Sequence, residues 1–255
     1  MAGLAQLRST LAIRTRLRRA AFDARWASRV RRRRHAIVLG DSHSATFTGW
    51  RLPGWWFDVT TVGGATASGI RNPNSVTEAL PTFRRRLRRA RGWQPILVML
   101  GEVDCGYIIW RRARTDGVSV SDSLEQTVRR YEDFLRVEVA PCGPVMVMSA
   151  PLPTLPDDFS TWGEVARRRA DVQVSQRDRT ELTLRFNERL AAICDRAGWT
   201  FVEATRAQLD PVSGLVRSEL VRHGTGDHHL VTPLYRALVA RALVQRVPAA
   251  SASAR

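Results

Sequence analysis

Short apolar runs alternate with longer stretches of helical periodicity along most of this chain, and this alternation constrains the fold more than any other feature. The apolar runs predict strands, and the periodic stretches between them predict helices. Strands joined by helices are typical of a parallel sheet covered by helices on both faces. We therefore expect an α/β fold with a central parallel sheet of about five strands. The predicted strands are 35–40, 57–62, 96–101, 145–150 and 200–204, and the predicted helices are 75–91, 121–138, 175–197 and 233–246.

The first apolar run, residues 36–39, ends in a Gly-Asp-Ser turn. Gly40 permits a tight turn as the strand ends. Ser42 would then lie just past the carboxyl end of a central strand, where open α/β sheets bind their ligands. An exposed hydroxyl backed by backbone N–H groups suits a nucleophile, and the alternative is an ordinary strand-to-loop turn.

Three further segments follow this turn in a fixed order. They are a paired-glycine turn at 63–64, a Gly-x-x-Asp segment at 101–104 and a late Asp/His segment at 226–229. Together with the Gly-Asp-Ser turn, they resemble the four blocks of the SGNH (GDSL-like) hydrolase family over roughly residues 35–246. The resemblance implies a three-layer, flavodoxin-like fold and acyl chemistry through an acyl-serine intermediate.

The resemblance also implies a catalytic triad. Ser42 is the nucleophile, His229 the base and Asp227 the group that orients the base, as acyl transfer through serine requires. The family commonly places its aspartate three residues before the histidine, where this chain has Gly226. A one-residue adjustment of the loop would bring Asp227 to His229. Alternatively, His228 takes part and the triad reduces to a dyad.

The oxyanion hole departs further from the family pattern. Backbone N–H groups of Ser42 and Gly64 match two family donors, but the asparagine that supplies the third is Val103 here. Loss of one such donor typically costs about 100- to 1000-fold in rate. Asn72 and Asn74 are candidate replacements, and a role in a loop turn is the alternative.

Other polar and aromatic residues are candidates for substrate binding. Glu102 and Asp104 cannot donate hydrogen bonds when ionised, so they would accept them from sugar hydroxyls or hold the arginine-rich loops. Trp162 lies in a proline-rich connection, 151–174. A connection of this length at a carboxyl strand end is usually functional or disordered, and we interpret it as a lid or an acceptor-binding loop.

The remaining histidines are weaker candidates for the catalytic base. His35 is expected to face away from the site, His43 to point elsewhere from the turn, and His223 has no carboxylate pattern. The adjacent pair His228 and His229 is not expected to bind metal, because neighbouring residues do not converge easily and no third ligand is evident. The sequence thus predicts no metal and no cofactor. Acyl-CoA is expected as a donor substrate.

The chain carries a net charge of +16, and all 40 of its basic residues are arginine. The absence of lysine resembles the codon bias of a GC-rich, for example actinobacterial, genome. Such a positive field attracts phosphates. No nucleic-acid-binding signature accompanies the charge, so the expected partners are a phosphate-bearing acyl donor and a sugar acceptor, with no nucleic acid.

The positive charge and the resemblance together favour an O-acyltransferase that moves an acyl group from acyl-CoA to a carbohydrate hydroxyl. The resemblance alone implies octanoyl as one candidate acyl group and a glucosylglycerate as one candidate acceptor. The alternatives are an O-acyl esterase acting on a carbohydrate ester and a catalytically silent binding module. Val103 and the displaced Asp227 make the last alternative credible.

Three segments divide the chain. Residues 1–34 predict a basic amphipathic helix that packs on its own domain, contacts an anionic membrane surface or mediates self-association. Residues 35–248 form the catalytic domain, and the polar tail 249–255 is expected to fray. The chain shows no secretory signal or membrane-spanning run, and its three cysteines are an odd number, so a cytoplasmic protein with reduced thiols is expected.

Overall fold

The computed structural model describes residues 34–72, 74–158, 169, 171–224 and 226–246. Most of the predicted N-terminal helix, Trp162 and the predicted tail lie outside the described residues. Among the described helices, none combines the length and the apolar character that crossing a membrane requires.

Five parallel strands form one sheet in the order β2-β1-β3-β4-β5. This confirms the predicted α/β class, the strand number and the flavodoxin-like strand order. Every predicted strand is present, with ends that differ by at most two residues. The strands are β1 (Arg34–Gly40), β2 (Trp55–Thr61), β3 (Ile96–Met99), β4 (Val145–Met148) and β5 (Thr200–Val202).

Helices cover both faces of the sheet. They are α1 (Ala79–Leu87), α2 (Ile109–Thr115), α3 (Val120–Phe134), α4 (Gln176–Ala197) and α5 (Thr232–Arg246). The sequence analysis predicted all of these except α2, which continues from a π-helical turn at Asp104–Ile108. Ser119 caps α3 by accepting the Asp122 backbone N–H, and Ser175 caps α4 in the same way through Asp178.

Successive residues of the central strands point to opposite faces and build two separate cores. In β1, Ile37 and Leu39 join the core under α1, α3 and α4, whereas Ala36 and Val38 join the core under α5. Because both of their faces are buried, β3 and β4 are continuously apolar, whereas β2 at the sheet edge alternates buried and exposed residues.

The strand order creates a topological switch point beside β1. The chain runs from β1 outwards to β2 and then crosses back to β3 on the other side, so the strand order reverses between β1 and β3. Open α/β sheets bind ligands at this point, beyond the carboxyl ends of the strands. Glycine ends β1 because a Cβ at Gly40 would overlap the Met99 carbonyl oxygen of β3.

Candidate active site

Ser42 lies at the carboxyl end of β1, where the sequence predicts it. It begins a short 3₁₀ turn, Ser42–Phe47, and its side chain is half-buried. Asp41 fixes this turn, because its carboxylate accepts the His43 backbone N–H at 2.9 Å and its own N–H donates to the Met99 carbonyl at 3.2 Å. The serine is therefore held at the sheet edge by hydrogen bonds to the backbone on either side of it.

Asp227 reaches His229 despite standing only two residues before it. One Asp227 oxygen accepts both the His229 backbone N–H at 2.9 Å and the ring Nδ1–H at 2.6 Å. The other oxygen accepts a hydrogen bond from Arg222 at 2.7 Å. The expected loop adjustment is thus present, and Gly226 contributes to it with a φ of +67°.

The second ring nitrogen of His229 is available for chemistry. Its Nε2 is buried and accepts no hydrogen bond from the described residues. Burial lowers the pKa of His229, as does the His43 ring, while Asp227 opposes this shift. The ring is therefore neutral at pH 7, with its proton on Nδ1 toward Asp227 and a lone pair on Nε2.

The expectation that His43 points away from the site is wrong. Its ring centroid lies 4.6 Å from that of His229 and 5.5 Å from that of His228. The side chain is only 4% exposed, and its Nδ1 lies 3.4 Å from Asp41 and 3.9 Å from Glu102. Because His43 directly follows Ser42, this contact packs the serine turn against the His229 loop.

Glu102 does not have the free carboxylate that a sugar-binding role needs. Its two oxygens accept hydrogen bonds from Arg169 at 2.8 and 3.0 Å, and both side chains are buried. Burial alone would raise the pKa of Glu102, but Arg169 and His43 hold it well below its usual range. Glu102 therefore holds an arginine of the 151–174 connection, which was the alternative to accepting hydrogen bonds from sugar hydroxyls.

Asp104 is also wrong as a substrate-binding residue. It is fully buried, and its two oxygens accept the backbone N–H groups of Ala67 at 2.7 Å and Ser68 at 3.0 Å. A carboxylate in this position has no contact left for a substrate. It fastens the loop after β2 to the segment after β3 and so supports the carboxyl edge of the sheet.

The predicted oxyanion groups lie on two loops. Gly64 is exposed after β2, with a φ of +73°. Asn72 and Asn74 are also exposed, and the Asn72 side chain accepts the Asn74 backbone N–H at 3.0 Å. That contact is typical of a loop turn, the alternative to oxyanion binding. Val103 is half-buried directly after Glu102 and supplies no side-chain donor.

Two site residues were missed by the sequence analysis, Arg169 and Thr154. The Thr154 hydroxyl donates to the His228 carbonyl at 2.5 Å, which ties the 151–174 connection to the histidine loop. Residues 151–155 of this connection are buried. The described beginning of the predicted lid is therefore packed in place, and residues 159–168 lie outside the described residues.

Solved structures with the same fold cover most of this chain. A Bacteroides fragilis protein assigned as an acylhydrolase is 13% identical, with 83% of this chain and 85% of that chain covered and a TM-score of 0.53. A catalytic mutant of an acetylxylan esterase from Geobacillus stearothermophilus is 12% identical, with 87% and 97% covered and a TM-score of 0.53. A GDSL-like lipase from Bacteroides thetaiotaomicron is 12% identical, with 83% and 86% covered and a TM-score of 0.50.

These likenesses establish that the chain has the fold expected from its four sequence blocks. No protein-family model and no curated protein sequence matches the chain. At such low identity, the similarity lies in the three-dimensional fold.

Proposed function

We propose that this chain is a serine acyl hydrolase of the SGNH type, in which Ser42, His229 and Asp227 form the catalytic triad. One observation carries the proposal. The Asp227–His229 hydrogen bond of 2.6 Å leaves an unpartnered, buried Nε2 on a loop that packs against the Ser42 turn. A serine, a histidine with a free nitrogen and a carboxylate on the other nitrogen are the parts that acyl transfer needs.

The chemistry follows from these positions. His229 Nε2 takes the Ser42 hydroxyl proton as the oxygen attacks the carbonyl carbon of an ester. The developing imidazolium is stabilised by Asp227, whose own negative charge is supported by Arg222 at 2.7 Å. The ring then returns the proton to the departing alcohol, which leaves an acyl-Ser42. A water activated by the same nitrogen releases the acid.

The oxyanion formed in each step needs donors. We assign this role to the backbone N–H groups of Ser42 and Gly64, which lie at the ends of neighbouring strands. Val103 leaves the third donor position of the family without an amide. We therefore expect ester hydrolysis to be slower than at a site with three oxyanion donors, by up to about 100- to 1000-fold.

A carbohydrate ester is the substrate class to test first. One of the fold neighbours is an acetylxylan esterase. A second candidate function uses the same acyl-Ser42 but passes the acyl group from acyl-CoA to a carbohydrate hydroxyl. The net charge of +16, carried entirely by arginine, favours this candidate because it attracts the phosphates of CoA.

The test is hydrolysis of p-nitrophenyl acetate and of acetylated sugars by the purified chain. We expect ester hydrolysis together with covalent labelling of Ser42 by a fluorophosphonate, located by peptide mass spectrometry. Labelling at another residue, or activity that persists in Ser42→Ala, would overturn the proposal. Acyl-CoA with free sugars in the same assay separates the two candidates, since transfer yields an acylated sugar and hydrolysis only free acid.

The control variant is His35→Ala. His35 lies near the start of β1, at the opposite end of the strand from Ser42, and its side chain is exposed. This variant should retain both hydrolysis and labelling. It therefore controls for the loss of a histidine that lies outside the site.

A further inference from the structure

Three imidazole rings converge beside the proposed triad. His43 follows β1, whereas His228 and His229 precede α5, so two distant segments of the chain supply them. One ring nitrogen from each histidine lies within 4.8 Å of the other two. The expectation that no third ligand joins the adjacent pair is therefore wrong, because His43 turns toward them.

We infer that His43, His228 and His229 bind one divalent transition-metal ion of the zinc class, and that the bound ion switches off the serine chemistry. Imidazole is a preferred ligand of zinc and related ions. Three histidine nitrogens with a fourth position open to water form a familiar zinc-binding set. The binding site follows from geometry alone, while the switching effect rests on the proposed function.

Two buried ring nitrogens in this cluster have no hydrogen-bond partner among the described residues. His43 has a side chain that is 4% exposed, and its Nδ1 has no hydrogen bond from the described residues. His229 Nε2 is in the same situation. Buried polar atoms without partners are costly, so a ligand that engages this cluster would relieve an existing penalty.

The surroundings of the cluster suit a bound cation. Asp227 orients His229 through its other ring nitrogen, as carboxylates commonly do for histidines that bind metals. The Asp41 and Glu102 carboxylates lie 3.4 and 3.9 Å from His43 Nδ1. Arg169 is the buried cation nearby, and its charge is paired with Glu102.

Binding requires a small closure of the rings. Tetrahedral zinc with nitrogen ligands places those nitrogens roughly 3.3 Å apart, so the separations of up to 4.8 Å must shorten. His228 and His229 are only half-buried, which leaves their side chains room to rotate. We therefore expect one reversible site, in which the ion is readily removed by a chelator.

The ion and the reaction compete for the same electron pair. Zinc coordination uses the lone pair of His229 Nε2, while the Nδ1 proton stays in its hydrogen bond to Asp227. That lone pair must otherwise accept the proton of Ser42. A ring that is bound to metal therefore cannot activate the serine, and no oxidation or reduction is involved.

The binding test uses untagged protein freed of metal by a chelator and titrated with zinc chloride by calorimetry. We expect one ion per chain. His43→Gln and His228→Gln should each weaken binding by more than the roughly 10- to 100-fold that loss of a supporting group costs. His35→Gln is the matched control and should bind zinc normally. Circular dichroism verifies that each variant is folded, and the less buried His228→Gln keeps the test valid if His43→Gln does not fold.

The activity test adds zinc chloride to the p-nitrophenyl acetate assay and then reverses it with EDTA. We expect loss of hydrolysis and of fluorophosphonate labelling, with the inhibition curve displaced to higher zinc concentrations in His228→Gln. Absence of binding, or binding unchanged in both glutamine variants, would overturn the metal site. Zinc that binds but accelerates hydrolysis would overturn the switch. Zinc binding with no hydrolysis under any condition would overturn the proposed function and leave the metal site standing.

Discussion

The loop that carries His229 and the segment that carries Glu102 hold their charges in contrasting ways. Asp227 and His229 are two residues apart and roughly 30% exposed, and their hydrogen bond forms within one turn of the chain. Glu102 and Arg169 are 67 residues apart and at most 8% exposed. The first pair leaves a nitrogen free, whereas the second pair uses both carboxylate oxygens.

This difference separates His229, the proposed base, from Glu102, which has a structural role. A group that accepts a proton needs an open lone pair, and His229 has one on a ring whose pKa burial lowers from its ordinary value. A buried ion pair with every contact satisfied has nothing to exchange with a substrate. The comparison thus predicts large losses of activity at the histidine loop and large losses of stability at Glu102.

The largest effect is expected at Ser42, the proposed nucleophile. Ser42→Ala should lower kcat/KM for ester hydrolysis by on the order of 10⁴-fold or more, because acylation then has no attacking oxygen. The unfolding midpoint in urea should stay close to that of the parent chain, since the hydroxyl is half-buried on a turn. Hydrolysis that survives this substitution would place the chemistry elsewhere.

The histidine loop should show a clear ranking. His229→Ala should approach the loss seen for Ser42→Ala, Asp227→Asn should lose less, and His228→Ala should lose least. The aspartate orients the ring and stabilises its charged form, so the ring retains some activity without it. Steady-state kinetics of the three variants measure the ranking. A larger loss for His228→Ala than for His229→Ala would show that His228, and not His229, is the base.

The buried pair should affect folding more than catalysis. Arg169→Met leaves Glu102 buried without its partner, and we expect the free energy of unfolding to fall by about 3–5 kcal/mol. Adding Glu102→Gln to this variant should recover part of the loss, because it removes the uncompensated charge. Urea denaturation monitored by tryptophan fluorescence provides the measurement.

An exposed pair supplies the control for this prediction. Arg189 donates to Glu125 at 2.9 Å, with side chains that are 51% and 36% exposed. Arg189→Met should cost far less stability than Arg169→Met, because water screens the pair and hydrates the remaining carboxylate. Equal losses at Arg169 and Arg189 would contradict the structural role given to Glu102.

The sequence predicts the elements of this site that depend on local chain geometry. The central strands are recognisable because buried parallel strands are continuously apolar. Ser42 follows from the motif at the end of β1, and Asp227 and His229 follow from the motif before α5. The direction of His43 is set by the 3₁₀ turn that Asp41 caps, which the motif alone does not specify. Arg169 is one of 40 arginines, and nothing local marks it as the partner of Glu102.

The missing oxyanion donor gives a gain-of-function prediction. Val103→Asn should raise kcat by up to about 100-fold with little change in KM, because the new amide stabilises the oxyanion more than the bound ester. Val103→Asp has nearly the same shape but cannot donate when ionised, so it is the matched control. If the asparagine variant is no faster than the aspartate variant, the amide does not reach the oxyanion.

The pH profile should distinguish the two charges that act on His229. Burial and His43 lower the pKa of His229 below 6.5, so kcat/KM should be level near pH 7 and fall about tenfold per pH unit below that pKa. Asp227 raises this pKa and His43 lowers it. The inflection should therefore move to lower pH in Asp227→Asn and to higher pH in His43→Gln. Shifts in the same direction, or an inflection above 6.5 in the parent chain, would show that another group controls the rate.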